Sequence, residues 1–306
     1  MSEGDGCVPG TDCKREFTDS QGNLDPLFKC HTVTPVVSAT WRRPAADTGR
    51  SVADRHRHGR REVLIRRAGG HDGGMLIIGH RGASAAAPEN TPTAFALADT
   101  MGADGVELDV RIAPDGRLLA AHDPHPLDPV AIDALGAATF AEVLDACGER
   151  LLVNVEIKNW PEDTWYDETM ALVPPILDEM RARGNPERWL ISSFSLPTID
   201  ACRAYAPEFA TAWLTWEVKE KTIDKLLAAG HTAVHPIEST VTAETVARCH
   251  DAGLAVNVWT CNDAARLAEL DAIGVDGVCT DVPDVALAAV GRSGLDVRPR
   301  WRVAPR

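Results

Sequence analysis

The stretch IIGHRGASAAAPENT, residues 77–91, decides the fold. A short apolar run ends on His80-Arg81-Gly82, and a helix start follows at Pro88-Glu89-Asn90-Thr91. A buried strand has no packing use for His and Arg at its tip. Such a tip suits a site that handles a phosphate, provided other strands end beside it. Gly82 permits a close backbone approach. Asn90 or Thr91 reads as the helix N-cap, with Pro92 in the first turn. Glu89 and Asn90 read as mainly structural residues that also back the site.

Downstream, the same unit recurs. Apolar β runs are read at 76–80, 105–112, 151–157, 189–194, 211–216, 232–237, 254–260 and 277–281. Helical patterns lie between them, near 91–101, 139–147, 167–183, 196–205, 219–229, 242–252, 263–273 and 283–290. Strict β/α alternation predicts a parallel sheet. Eight such units fit a (β/α)8 TIM barrel, whose active face is built at the C-terminal ends of the strands. A doubly wound open sheet is the competitor. It calls for a glycine fingerprint after the first strand, and GHRGASAAA does not have one. The run RLLAAHD, 117–123, follows a Pro-Asp-Gly turn and reads as a small hairpin insertion after the second strand.

Composition separates this body from its ends. Residues 1–74 have no sustained period and read as a disordered arm or an over-extended gene start; 75–291 form the barrel; 292–306 are a C-terminal tail. The arm holds 12 Lys/Arg against 10 acids, a net of +2, and the rest holds 19 against 35, a net of −16. Within the arm, 42–67 carries nine Arg and reads as a solvated tail before it reads as a polyanion-binding one. The net charge of −14 argues against nucleic acid as a partner. No long apolar run or secretory leader is read, so the expected address is cytoplasmic, without stable membrane association. The eight cysteines form no CxxC pair and read as reduced thiols, with no zinc site.

The chemistry collects at the strand tips. Glu107 and Asp109 sit at i and i+2 of the second strand, so both face one way. Paired buried carboxylates are costly unless neutralised, and a hard divalent cation does that. The hairpin return ends in His122-Asp123, and the third barrel strand leads into Glu156 and Lys158. Each fragment alone has a plain structural reading. Glu107 and Asp109 could pair with Arg111, Glu156 could pair with Lys158, and a lone His is more often structural than catalytic. The ordered set on one face is not a packing pattern.

The series HRG, PENT, ELDV, PDG, HD, VEIK, NVWTCN and GVDGVCTDVPD resembles the glycerophosphodiester phosphodiesterase family, from about residue 76 to 290. The resemblance implies a (β/α)8 enzyme that hydrolyses small glycerophosphodiesters to glycerol 3-phosphate and an alcohol through a cyclic phosphate. It implies Glu107, Asp109 and Glu156 as ligands of Mg²⁺ or Ca²⁺. It implies His80 and His122 as the acid/base pair, with the order of action open. Arg81 and Lys158 would hold the phosphate, and Trp259 would wall the glycerol pocket or belong to the core. His235 is expected to be structural and His125 exposed. The chain departs from the family after His122, where HDPHPLDPVAIDAL lacks an Arg-Thr-Thr element, so the head-group pocket is expected to differ. A lipid-directed phosphodiesterase (lysophospholipase D-like or phosphatidylinositol phospholipase C-like) is the first alternative. It needs an apolar rim, and no aromatic or Lys-rich surface loop is expected here. A barrel that binds phosphorylated metabolites without turnover is the second.

Overall fold

Eight parallel strands close on themselves. The computed structural model describes residues 74–123, 136–293 and 301. The readings of residues 1–73 as an arm, of His125, and of Cys7, Cys13 and Cys30 lie outside the described residues. The strands are β1 (Leu76–His80), β2 (Gly105–Ile112), β3 (Leu118–Leu119), β4 (Leu152–Ile157), β5 (Trp189–Ser193), β6 (Ala210–Thr215), β7 (Ala233–Pro236), β8 (Ala255–Val258) and β9 (Gly277–Thr280). All but β3 form the barrel, in sequence order, and β1 pairs with both β2 and β9 to close it. The two-residue β3 runs antiparallel to the end of β2, the expected hairpin return. The fold is the (β/α)8 TIM barrel expected from the sequence.

The helices are α1 (Pro92–Met101), α2 (Phe140–Ala146), α3 (Val173–Ala182), α4 (Leu196–Tyr205), α5 (Glu220–Ala229), α6 (Ala243–Asp251), α7 (Ala264–Ala272) and α8 (Pro283–Ala289). Their starts are written in capping residues. Thr91 caps α1 through the Ala94 N–H, and Thr139 forms a capping box with Glu142 on α2. Ser195, Thr242 and Asp263 cap α4, α6 and α7 in the same way. Helix α3 starts at Val173, well after the expected 167. The Asp167 carboxylate accepts from the Thr169 and Leu172 N–H groups, which folds that segment into a turn. Pro174 and Pro175, which lack N–H groups, fit only a helix's first turn.

Strand β2 is buried on both faces, as a strand between barrel interior and helices must be. Outward residues such as Val106, Leu108, Val153 and Ile191 pack under the helices. Inward residues alternate with them. At the floor these are Leu76, Ile78, Leu152, Leu190, Ala212, Ala233, Ala255 and Cys279. The small alanines leave room for one large side chain, Trp301, which is buried among them and donates its indole N–H to the Arg188 carbonyl at 2.9 Å. The tail therefore contributes a plug to the barrel floor. Replacing Trp301 with Ala is expected to cost about 3–5 kcal/mol, as for other buried aromatic truncations. A urea titration of both proteins measures it. A loss below 1 kcal/mol would mean the floor closes without the plug.

Candidate active site

Strand register assembles the site. On the inward parity, His80 lies beside Glu107, and Asp109 lies beside Glu156. Adjacent strands are about 4.8 Å apart, so a two-residue offset within β2 brings all four onto neighbouring levels. Glu107, Asp109 and Glu156 each present an oxygen within 4.8 Å of the other two, and all three are buried. Glu107 Oε1, Asp109 Oδ1 and Glu156 Oε1 lack a hydrogen-bond partner. The Lys158 ammonium approaches Asp109 at 3.0 Å and Glu156 at 2.5 Å, as a point charge without aligned hydrogen bonds. Three convergent, buried carboxylate oxygens, Glu107 Oε1 with no partner and the other two facing Lys158, suit a hard divalent cation. The residues present fit such an ion.

Electrostatics pushes these groups apart. Burial, reinforced by the charge of Asp109, drives the Glu107 carboxyl well above the usual carboxylate range. Asp109 is equally buried, but Lys158 and Arg81 overcome that and hold its carboxyl far below the range. Burial opposes the Lys158 charge, and Asp109 and Glu156 outweigh it, so the ammonium is held more firmly than in water. Asn90 backs Asp109 from behind: its amide donates to Oδ2 at 2.8 Å, and its oxygen accepts the Asp109 N–H at 3.1 Å.

Each histidine is anchored through Nδ1. The His80 Nδ1–H donates to Asp281 at 2.7 Å, and the His122 Nδ1–H donates to Asp123 at 2.7 Å. Carboxylates only accept, so both rings carry the proton on Nδ1 and offer Nε2 to a ligand. Asp281 is itself fixed by Ser84 at 3.0 Å and by the Asn262 amide at 2.6 Å. Burial lowers the His80 pKa, but Asp281 and Glu107 more than reverse that, and the net shift is upward. For His122, burial and then Lys158 win, and the net shift is downward.

Arg81 adopts a left-handed φ of 55°, which costs a non-glycine residue and is tolerated where a site requires it. That turn lets its N–H donate to Glu107 at 3.0 Å. Its guanidinium is shared between Glu89, at 2.9 Å, and Asp109, at 3.2 Å. Gly82 has φ 88°, and a Cβ there would meet the Ala94 carbonyl carbon at 2.6 Å, so no other residue fits.

A cavity of about 340 Å³ opens at Glu156, lined also by His122, Lys158, Phe194, Trp216 and Trp259. Trp259 is a pocket wall whose N–H is satisfied by the His235 carbonyl at 2.8 Å. His235 is buried, accepts from Asn257 at 2.9 Å and is pushed down by burial to about 3, so it is a neutral structural residue.

Some features depart from the sequence reading. Arg111 does not pair with the β2 carboxylates. It grips the His122 carbonyl at 2.6 and 2.9 Å and pairs with Asp163 at 2.7 Å. Asp281 carried no assigned role; an acid on the inward parity at the end of the last strand was the available signal. The expected lack of aromatic surface loops is also overturned: Trp160 is 43% exposed and Trp216 is 50% exposed at the pocket mouth.

The model of the glycerophosphoryl diester phosphodiesterase family matches residues 80–131 and 124–285. The chain belongs to that family. It is accordingly a hydrolase of phosphoric diesters. A glycerophosphodiester phosphodiesterase from Caldanaerobacter subterraneus subsp. tengcongensis is 28% identical over 250 residues, which is 72% of this chain and 99% of the relative. Among solved family folds, a Thermotoga maritima glycerophosphodiester phosphodiesterase superposes with a TM-score of 0.58 at 24% identity, covering 72% of this chain and all of that one. An Oleispira antarctica phosphodiesterase, solved with the product sn-glycerol-3-phosphate, gives 0.62 at 23% identity, covering 71% and 97%. These solved neighbours establish the barrel. Among the described residues no helix is long and apolar enough to cross a membrane.

Proposed function

We propose that this family member hydrolyses glycerophosphodiesters to glycerol 3-phosphate and an alcohol, with a divalent cation held by Glu107, Asp109 and Glu156. Two Nδ1-anchored histidines beside a trio of buried, convergent carboxylates carry the reading. The Oleispira neighbour's bound product supports it. A cation there supplies positive charge to a phosphodiester that otherwise repels attack. Mg²⁺ and Ca²⁺ both suit an all-oxygen donor set.

The two histidine pKa values are shifted in opposite directions, which supports His122 as the first base and His80 as the first acid. His122, pushed down, is the base: its Nε2 takes the proton of the glycerol 2-hydroxyl, and that oxygen attacks phosphorus. His80, pushed up, is the acid: its Nε2–H protonates the departing alcohol. The cyclic phosphate is then opened by water with the roles reversed, His80 taking the water proton and His122 returning one to the 2-oxygen. Asp281 holds the His80 tautomer throughout. Lys158 and Arg81 orient the phosphate oxygens. Trp259 packs on the glycerol carbons. The working unit is 75–291, its substrate a small molecule and its setting cytoplasmic.

The test is release of glycerol 3-phosphate from glycerophosphoethanolamine by the full chain. EDTA should stop it, and Mg²⁺ or Ca²⁺ should restore it. Release that EDTA leaves untouched would remove the cation from the reading. No release with any divalent ion would remove the activity.

A further inference from the structure

The two histidines are held in different ways. His80 belongs to a barrel strand, and its ring is tied across to Asp281, directly after β9. His122 lies outside the barrel strands, on the hairpin return. That return is short: β3 meets β2 at Leu118 and Leu119, and the Ala120 N–H donates to the Ala138 carbonyl at 2.9 Å. The His122 ring bonds to Asp123, its own chain neighbour, whose side chain is 77% exposed. A bond to a neighbour selects the tautomer but travels with the residue. It does not fix the ring relative to the barrel.

Arg111 supplies that fixed point. It is the last residue but one of β2, on the same parity as Glu107 and Asp109, and it is buried. Its Nε and Nη2 both donate to the His122 carbonyl, at 2.9 and 2.6 Å, and its Nη1 donates to Asp163 at 2.7 Å. Asp163 is in turn set within the segment after β4. Its N–H donates to the Trp160 carbonyl at 2.9 Å, and its carbonyl accepts the Tyr166 N–H at 3.1 Å. One planar guanidinium thus joins a barrel strand, the backbone that carries His122 and the loop after β4. A buried charge of this kind is costly unless well matched, and a carbonyl and a carboxylate match it here. Lysine, a point donor on a flexible stem, could not grip both. The ion-pair partner is Asp163 rather than Asp109, two residues away, so the charge is spent on the clamp and not on the cation site.

We infer that Arg111 is a positioning residue, which holds the His122 backbone so that Nε2 meets the glycerol 2-hydroxyl. The inference rests on the proposed function, in which His122 is the first base. Arg111 acts through the His122 carbonyl and not on the reacting atoms. Its effect belongs to the rate of the chemical step, because a misplacement of about 1 Å can cost about 100-fold.

The experiment is a double-variant cycle on the full chain with divalent cation, read as ethanolamine release from glycerophosphoethanolamine. Arg111→Ala should lower kcat by about 100-fold and leave KM within about twofold of the parent. In a His122→Ala background the same substitution should lower the residual kcat less than about threefold, because the group it serves is gone. Asp163→Ala loosens the clamp from its more exposed end; it carries the same cycle, with a several-fold fall, where circular dichroism shows that Arg111→Ala does not fold. An equal fall in both backgrounds overturns the inference, since the clamp would then serve the fold alone. A raised KM at unchanged kcat overturns it too and makes Arg111 a substrate contact. Parent kinetics in a folded Arg111→Ala overturn it and leave the proposed function intact. If His122→Ala itself costs nothing, the base assignment falls and takes this inference with it.

Discussion

His122→Ala is expected to lower kcat for glycerophosphodiester hydrolysis by about 10³-fold, within the range lost with a general base, and to leave KM close to that of the parent. His80→Ala gives a comparable fall. Neither ring supports the core: His122 is half-exposed, and His80 stands at the solvent end of β1. Circular dichroism of both variants should therefore match the parent. The parent's kcat/KM is expected to be bell-shaped in pH. Its rising limb follows loss of the His122 proton and lies below the ordinary histidine value of 6.5, because burial and Lys158 lower that group. Its falling limb follows loss of the His80 proton, which the hydrogen bond to Asp281 holds against burial. Asp281→Asn removes the main raising contact and lets burial dominate, so the falling limb moves to lower pH while the rising limb stays. A falling limb that ignores this substitution would show that His80 is not the acid.

Glu107→Gln separates activity from stability in opposite directions. The variant loses one of the three proposed cation ligands and is expected to lose more than about 100-fold in kcat/KM. Without divalent ions it is expected to be the more stable protein, by ~1–2 kcal/mol. The sign follows from linkage. A carboxyl whose folded pKa is raised binds its proton more tightly in the fold than in the unfolded chain. It therefore opposes folding once the pH exceeds its unfolded value near 4.5, and a neutral amide does not. Added Mg²⁺ or Ca²⁺ should raise the melting temperature of the parent and much less that of the variant. Equal shifts for both would mean that the ion binds elsewhere.

Most of this site was legible because its parts are local in sequence. Glu107 and Asp109 share a strand face, the HRG turn precedes its own helix cap, and each barrel strand announced itself by an apolar run. What escaped reading depends on closure of the barrel. The His80–Asp281 bond joins residues 201 positions apart, and no local pattern links them. Arg111 sits on the inward parity with the carboxylates, yet the hairpin return turns it toward the His122 carbonyl. The pocket's aromatic rings, Trp160, Phe194, Trp216 and Trp259, come from four separate loops, so no segment looked aromatic-rich. Helix α3 was read too early because Asp167 spends its carboxylate on a turn within a helix-like pattern.

The floor plug gives the polypeptide a vectorial character during synthesis. Chains emerge from the ribosome N-terminus first, and a domain folds as a unit. Every side chain assigned here to proton transfer, cation or phosphate has been made by the time β8 is complete. Trp301 follows β9 and α8, so Leu76, Ile78, Leu152 and Leu190 lack this packing partner until residue 301 has been made. A polypeptide halted between Gly291 and Trp301 would carry the entire catalytic set above an unsealed base, and protein quality control would meet it as an unfinished chain.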